Sequence, residues 1–382
     1  VNELTGVTAI ETVKPNFYCK GIEYRNQSKD KNLRKELKVL KKNKGKIKYL
    51  GSIVKSSSDI ISKFLFDTGD HNFQNHLKKI KNINIQSLIE KIKKLKILII
   101  GECILDKYTF VEIKGISPKS NNLSCRKMNT TTMPGGALAT YNFLSSLTKN
   151  VKLLSIVNAE TFNENPRLFN NLKDVIVSKK FTKIVKDRLV EKDNNGSIKK
   201  VFTINDFEEK KLDLNDEIRF RKKINENANK ADLIIIQDFG HNLFSNKIIN
   251  ALSSHNKKLS INVQTNSLNY GFNIIGKKLK KTKVISLDEK ELQLCVGHKD
   301  FKHSEELKTL RKKLSADYAF LTRGDKYSMV VDKKNKIITI PKLNSKPIDA
   351  MGAGDIFHAM ASIMSTISKD SFLNLFIPQI SG

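Results

Sequence analysis

From Lys93 onward the chain alternates between short, wholly apolar runs and longer segments with apolar residues at every third or fourth place. The runs are "KILIIGECILDKY", "NVKLLSIV", "ADLIIIQDFG", "KLSINVQT", "TKVISLDEKEL", "DYAFLTRGD" and "KIITIPK". A run that is apolar at every position suits a strand buried on both faces, as in a parallel sheet. Between them, "GGALATYNFLSSL", "NKIINALSSH" and "SEELKTLRKKL" carry helical spacing. The alternation predicts an α/β fold over 93–382, with a doubly wound, mostly parallel sheet and helices on both faces. Residues 108–133, "YTFVEIKGISPKSNNLSCRKMNTTTM", interrupt the first strand–helix unit with β-like stretches around Pro118. They predict a small β projection over the sheet edge that can serve as a lid; a plain surface hairpin fits the same pattern.

Residues 1–66 read as a smaller α/β block. "AIETVKPNFYCKG" suits a short helix, a Pro break and a strand, and "LRKELKVLKKNKGKIKYLGSIV" a helix, a Gly stop and a strand. "SSSDIISKFLF" suits a helix with a Ser N-cap and Ile60, Ile61, Phe64 and Leu65 on its apolar face. This is half a Rossmann-like layer. Residues 67–92 turn from polar to amphipathic and predict a linker helix.

Charge adds a question rather than an answer. The formal net charge of +30 invites a nucleic-acid reading. Against it, lysine greatly outnumbers arginine, the lysines are scattered through every segment, and there is no tryptophan for base stacking. A Lys/Ile/Asn bias over a solvated surface accounts for the same composition. Cys19, Cys103, Cys125 and Cys295 form no C-x-x-C pair, so the default is free thiols in a reducing cytoplasm rather than a zinc site or disulfide framework. No apolar run approaches the roughly 18 residues of a membrane span.

The candidate chemistry lies where the predicted strands end, which is where ligands bind in such folds. In "DAMGAGDIFHAMASIMSTI", Gly352, Ala353 and Gly354 precede apolar residues at helical spacing, so their amides sit at a helix N-terminus suited to an anion. Asp355 falls in the first turn, where the positive helix end is expected to keep it ionised and able to accept a hydroxyl proton. A glycine turn with an Asp cap is the bland alternative. Gly135 and Gly136 open another helix and permit close backbone approach to a polar substrate. Asp106 follows the first strand and can accept from sugar hydroxyls. Asp288 and Glu291 are spaced to share a helix face and could hold Mg²⁺ through water, or simply form an acidic helix start. Thr322 and Gly324 form a strand-end turn. His241 and His358 have no partner at ligand spacing and read as structural or solvent-facing.

Together and in this order, "GECILDKY", "PGGALA", "DFGHN", "DEKE", "LTRGD" and "DAMGAGDIF" resemble the ribokinase-like (PfkB) sugar kinases from about Lys93 to the end. Within them, "LDKYTFVEIKGISPKS" is similar to the heptose 7-phosphate kinases of surface-polysaccharide synthesis. The resemblance implies ATP and Mg²⁺ as cofactors, a sugar phosphate as acceptor and a homodimer through the lid. It makes Asp355 the base, Gly352, Ala353 and Gly354 the anion hole, and Asp106, Gly135 and Gly136 the sugar site. Asp288 and Glu291 match an Asn-x-x-Glu motif near Mg²⁺, and Thr322 and Gly324 a nucleotide turn; no direct metal ligand is implied. Asp288 in place of Asn, Ala139 in place of a sugar-contacting Asn, Tyr327 in place of a Gly and Met351 in place of Thr or Val depart from the pattern.

"KPNFYCKGIEY" and "KSSSDII" resemble the rear half of a cytidylyltransferase-like nucleotidyltransferase, which would place Lys20, Ser57 and Ser58 against a nucleotide. The front half, with its His-x-Gly-His motif, is missing from the sequence given, so this half is expected to be inactive alone. The family has a further closing helix beyond "GAGD", so the ending "FIPQISG" reads as a truncation and the chain as the middle and rear of a fused transferase–kinase, clipped at both ends. Two other readings stay open: a basic nucleic-acid-binding protein on a decayed kinase scaffold, and nucleotidyl transfer as the main activity of the parent.

Overall fold

The computed structural model of the chain describes residues 6–21, 30–50, 83–170, 172–192, 198–265, 269–324, 326–342 and 352–382. The chain divides into two compact units, Val1–Gln74 and Asn75–Gly382. In the first, α1 (Val7–Val13) leads into β1 (Phe17–Gly21), and α2 (Lys31–Lys42) into β2 (Lys46–Leu50). The two strands pair in parallel. Asp30 starts α2 by accepting from the Asn32 and Leu33 amides. The predicted helix that follows, with Ser57 and Ser58, lies outside the described residues, as does most of the predicted linker.

The second unit begins with α3 (Ile85–Lys94), β3 (Ile97–Gly101), β4 (Cys103–Ile116), β5 (Leu123–Gly135), α4 (Gly136–Leu147), β6 (Val151–Leu154) and β7 (Ile156–Asn158). It continues through α5 (Ala159–Glu164), β8 (Ile176–Ser178), β9 (Ile184–Lys192), β10 (Ile198–Phe207), α6 (Leu214–Ala228), β11 (Leu233–Asp238), α7 (Asn246–Ser253) and β12 (Leu259–Val263). It ends with α8 (Ile275–Lys278), β13 (Val284–Asp288), α9 (Glu289–Val296), α10 (His303–Lys313), β14 (Tyr318–Thr322), β15 (Tyr327–Asp332), β16 (Ile337–Pro341), α11 (Ala353–Ile367) and α12 (Ser371–Ser381).

The central sheet has eight strands in the order β16-β15-β14-β13-β12-β11-β3-β6. From β6 to β14 the pairing is parallel; β15 and β16 add an antiparallel edge. Strand alternation splits the apolar runs between two cores. Leu98, Ile100, Ile234 and Ile236 face one core with Phe220 and Ile224 of α6, Ile248 of α7 and Leu307 of α10. Ile97, Ile99, Leu233 and Ile235 face the other with Leu138 of α4 and Ala359, Met360 and Ile363 of α11. Because both faces are covered, the runs had to be apolar at every position.

The projection is larger than the hairpin expected over 108–133. β4 and β5 form that hairpin, but β9 pairs with β4 in parallel and β10 closes the edge, giving the order β10-β9-β4-β5. No apolar run announced β9 and β10. Their sequences, "IVKDRLVEK" and "IKKVFTINDF", mix charged and apolar residues and carry charges on successive positions, because this sheet is not covered on both faces.

Ile236 is fully buried between β3 and β12. Ile236→Ala is expected to cost about 2–5 kcal/mol, read as a lower urea midpoint at unchanged slope. A loss below about 1 kcal/mol would contradict the packing described.

Candidate active site

The floor of the site is the carboxyl end of β3 and β11. Only Glu102 separates β3 from β4, and its side chain is fully buried. It accepts from the amides of Phe239 at 2.8 Å and His241 at 3.1 Å, tying the loop after β11 to the root of the projecting sheet. Burial, then the nearby Asp238, pushes its carboxyl well above the ordinary carboxylate range. Asp238 in turn meets Lys278 at 2.8 Å.

Beyond Glu102 the period of a strand assigns the side chains to faces. Asp106 and Tyr108 of β4, and Lys186 and Arg188 of β9, face one way and line a common cleft. Lys107, Thr109 and Asp187 face the other, where Asp187 holds Lys107 at 2.9 Å and accepts from Thr109 at 2.7 Å. On the cleft side Arg188 forms an ion pair with Asp106 and lies 5.8 Å from the centre of the Tyr108 ring. The expected glycines fit here for steric reasons. A Cβ at Gly135 would strike the Asp106 carboxylate, and Gly136, at φ +58°, would place one 2.6 Å from the Glu102 carbonyl oxygen.

The cleft has a volume of about 360 Å³ and brings together Asp106, Gly135, Gly136, Gly352 and Asp355. Gly352 caps α11 at φ +77° without a side-chain cap, and a Cβ on Gly352 or Gly354 would meet nothing within 4 Å. The amides of the first turn, including that of Ala353, thus begin an open helix N-terminus. Asp355 stands in that turn and is buried. Gln264, just past β12, donates its side-chain amide to the Asp355 carboxylate, and Gln237 of β11 donates to the Asp355 carbonyl at 3.3 Å.

The expectation that the helix end keeps Asp355 ionised is corrected. Burial raises its pKa to about 7, against the lowering pull of Lys186 and the Gln264 hydrogen bond, and Asp106 pushes it up further. Desolvation outweighs a helix end because the carboxylate has a neutral amide, not a cation, in contact.

Asp288 and Glu291 are also corrected. They do not share a helix face: Asp288 is the N-cap of α9 and the pair form a reciprocal capping box. Both Glu291 oxygens accept backbone amides, from Asp288 at 2.8 Å and Thr265 at 3.2 Å. Burial, then Asp288, lifts its pKa to about 8. Asp288 itself is exposed and lies beside Thr322 in the sheet register. Gly324 follows in a turn at φ +51°. The residues expected at a nucleotide sit at and just past the ends of β13 and β14, outside the lining of the cleft. The Tyr327 ring, where a glycine was expected, lies 4.8 Å from the Arg323 guanidinium, which pairs with Glu289.

His241 and His358 are both buried, which rules out a solvent-facing role. Among the described residues no group of three or more His, Cys, Asp or Glu is placed to hold a metal ion. No described helix is long and apolar enough to cross a membrane. In the first unit Lys20 is held by Glu36 at 2.8 Å. Sequence reasoning missed Lys186, Arg188 and Gln264. The first two lay in an unrecognised strand, where the K-x-R alternation was the available signal; nothing in "INVQT" pointed to Gln264.

Residues 94–369 match the family described as pfkB family carbohydrate kinase. Curated relatives include the bifunctional protein HldE of Campylobacter curvus, 24% identical over 289 residues that cover 73% of this chain and 58% of that protein. The HldE protein of Campylobacter jejuni subsp. doylei is 25% identical over 270 residues, covering 69% and 55%. The chain therefore spans little more than half the length of these relatives. Among solved structures, phosphofructokinase-2 of Escherichia coli in complex with fructose-6-phosphate has a TM-score of 0.55 at 13% identity, covering 75% of this chain and 91% of that one. Ribokinase of Arabidopsis thaliana with ribose and ATP has a TM-score of 0.53 at 14% identity, covering 75% and 90%. These structures share the fold, and the family match over most of the chain shows that it belongs to the pfkB family of carbohydrate kinases.

Proposed function

We propose that the second unit transfers the γ-phosphoryl group of ATP to a hydroxyl of a sugar phosphate, a heptose 7-phosphate, as a step toward surface-polysaccharide precursors. One observation carries the reading: a buried carboxylate, Asp355, shares a cleft with Asp106, Gly135 and Gly136 at the open N-terminus of α11. The amides of Gly352, Ala353 and Gly354 offer an anion hole for the migrating phosphoryl group, and Asp355 takes the acceptor proton. The heptose reading is supported by the likeness of "LDKYTFVEIKGISPKS" to heptose 7-phosphate kinases and by the HldE relatives.

Thr322, at the end of β14, and Gly324 in the turn that follows support a nucleotide contact at the carboxyl edge of the sheet. Asp288 fits Mg²⁺ through water, since its side chain is exposed; Glu291, with both oxygens on amides, fixes the turn instead. Bound there, Mg²⁺ would neutralise phosphate charge. Phe202 and Ile204, exposed on the face of the projecting sheet away from the cleft, support a homodimer through the lid. For the first unit, the parallel β1–β2 pair with its helices supports half of a nucleotidyltransferase-like layer, in which Lys20 would leave Glu36 to meet a nucleotide.

A panel of free and phosphorylated sugars with ATP and Mg²⁺ tests the activity. Asp355→Asn should cut turnover by roughly 10²–10⁴-fold while ATP affinity stays near wild type; a variant that keeps full turnover would sink the assignment. In the wild-type protein kcat/KM should rise with pH through about 7, because only the ionised Asp355 accepts a proton. A flat profile from pH 5 to 8 would tell against a raised base.

The same shift fixes a stability trend. The folded state holds the Asp355 proton up to about 7 and the unfolded chain releases it near 3.8, so this stabilisation is full below that value and lost as pH rises through the folded pKa. Asp355→Asn should therefore melt higher than wild type at pH 8, with the difference shrinking toward pH 4; equal melting curves at pH 8 would contradict it.

A further inference from the structure

Granting the kinase reading on which it rests, we propose that Lys186 and Arg188 of β9 form the seat for a phosphate group that the acceptor sugar already carries. Both side chains line the cleft that contains Asp355. They stand two places apart on one strand, so they project in parallel roughly 7 Å apart, a spacing that lets one phosphate share its oxygens between them.

The carboxylates around them are already engaged. Asp106 pairs with Arg188, Asp355 accepts from Gln264, and Glu102 accepts two backbone amides. Lys186 is the charge left over. Among the described residues its ammonium has no hydrogen-bond or ion-pair partner, and burial is the main force lowering its pKa. Asp106, Asp355 and Glu102 attract it from a distance without touching it; a half-enclosed cation with no contacting anion is unfavourable, and a ligand anion removes that penalty. Arg188 offers five donors in a planar fork, so its bond to Asp106 leaves others for an oxyanion.

The migrating phosphoryl group already has its place at the start of α11, so an anion at β9 belongs to the other substrate. A neutral sugar would fill the cleft and leave Lys186 unpaired, which makes these residues a filter against unphosphorylated acceptors. Asp106, drawn to Arg188 in the free protein, remains beside the seat to receive sugar hydroxyls.

The test uses the full chain, the phosphorylated sugar best turned over in the panel, and the same sugar without its phosphate. Lys186→Met should lower kcat/KM for the phosphorylated acceptor roughly 30-fold more than for the free sugar, the difference appearing in KM; the free sugar is the reference for what the lost charge does to Asp355. Inorganic phosphate should compete with the acceptor in wild type and not in the variant. Lys186→Gln, closer in polarity, should behave as Lys186→Met, and melting curves will show that both fold.

An equal fall in kcat/KM on both acceptors would overturn the proposal, since Lys186 would then act only through Asp355 or the migrating phosphoryl group. So would a wild-type protein that prefers the free sugar. Calorimetry with inorganic phosphate separates this proposal from the kinase reading. Binding by wild type that is lost in Lys186→Met supports the seat even if no acceptor is phosphorylated, and absence of binding by wild type overturns it even if a sugar is.

Discussion

A carboxylate taken out of water must find partners, and the fold is arranged around that demand at the ends of β3, β11 and β12. Asp355 is satisfied by neutral amides, Gln264 on its side chain and Gln237 on its backbone. A lysine or arginine in contact would have held it ionised but bound its lone pairs tightly. An amide orients the group and leaves it basic enough to compete for a proton. The two glutamines come from adjacent parallel strands, so the position of Asp355 is set by the sheet itself.

The same economy recurs nearby. Glu102 and Glu291 are both buried, both accept paired backbone amides, and both are displaced upward from the ordinary carboxylate range. Each secures a turn at the carboxyl edge: Glu102 the loop after β11, Glu291 the start of α9. Burying carboxylates on amides is costly in free energy, and the price is met by the two large apolar cores on either side of the sheet. The pattern separates roles by distance. Apolar residues at the middle of each strand stabilise, and polar residues at the carboxyl ends position.

How much of this was legible in the sequence follows from the same physics. Runs such as "LIIIQD" are unambiguous because a strand covered on both faces must be apolar throughout. The helix from Ala353 announced itself through Ile356, Ala359, Met360 and Ile363. β9 did not, because Lys186, Asp187 and Arg188 put charge on both of its faces, and such a strand resembles a solvated segment. Asp288 and Glu291 carried a capping-box spacing directly after a strand, but the likeness to a metal motif drew the reading away from it. The ionisation of Asp355 was not readable at all. It depends first on burial and then on Lys186, Gln264 and Asp106, which are distant in sequence and meet only in the fold.

The junction at Glu102 has a mechanical corollary. β3 ends at Gly101 and β4 starts at Cys103, while the return from β5 enters α4 directly at Gly136. The root of the hairpin therefore contains almost no slack chain. Any tilt of β4 and β5 relative to the main sheet has to be absorbed in the torsions of a few residues, one a glycine at positive φ and one a glutamate stapled to the neighbouring loop. A strand pair rooted this tightly transmits any change of its angle directly to the Phe239–His241 loop that Glu102 holds.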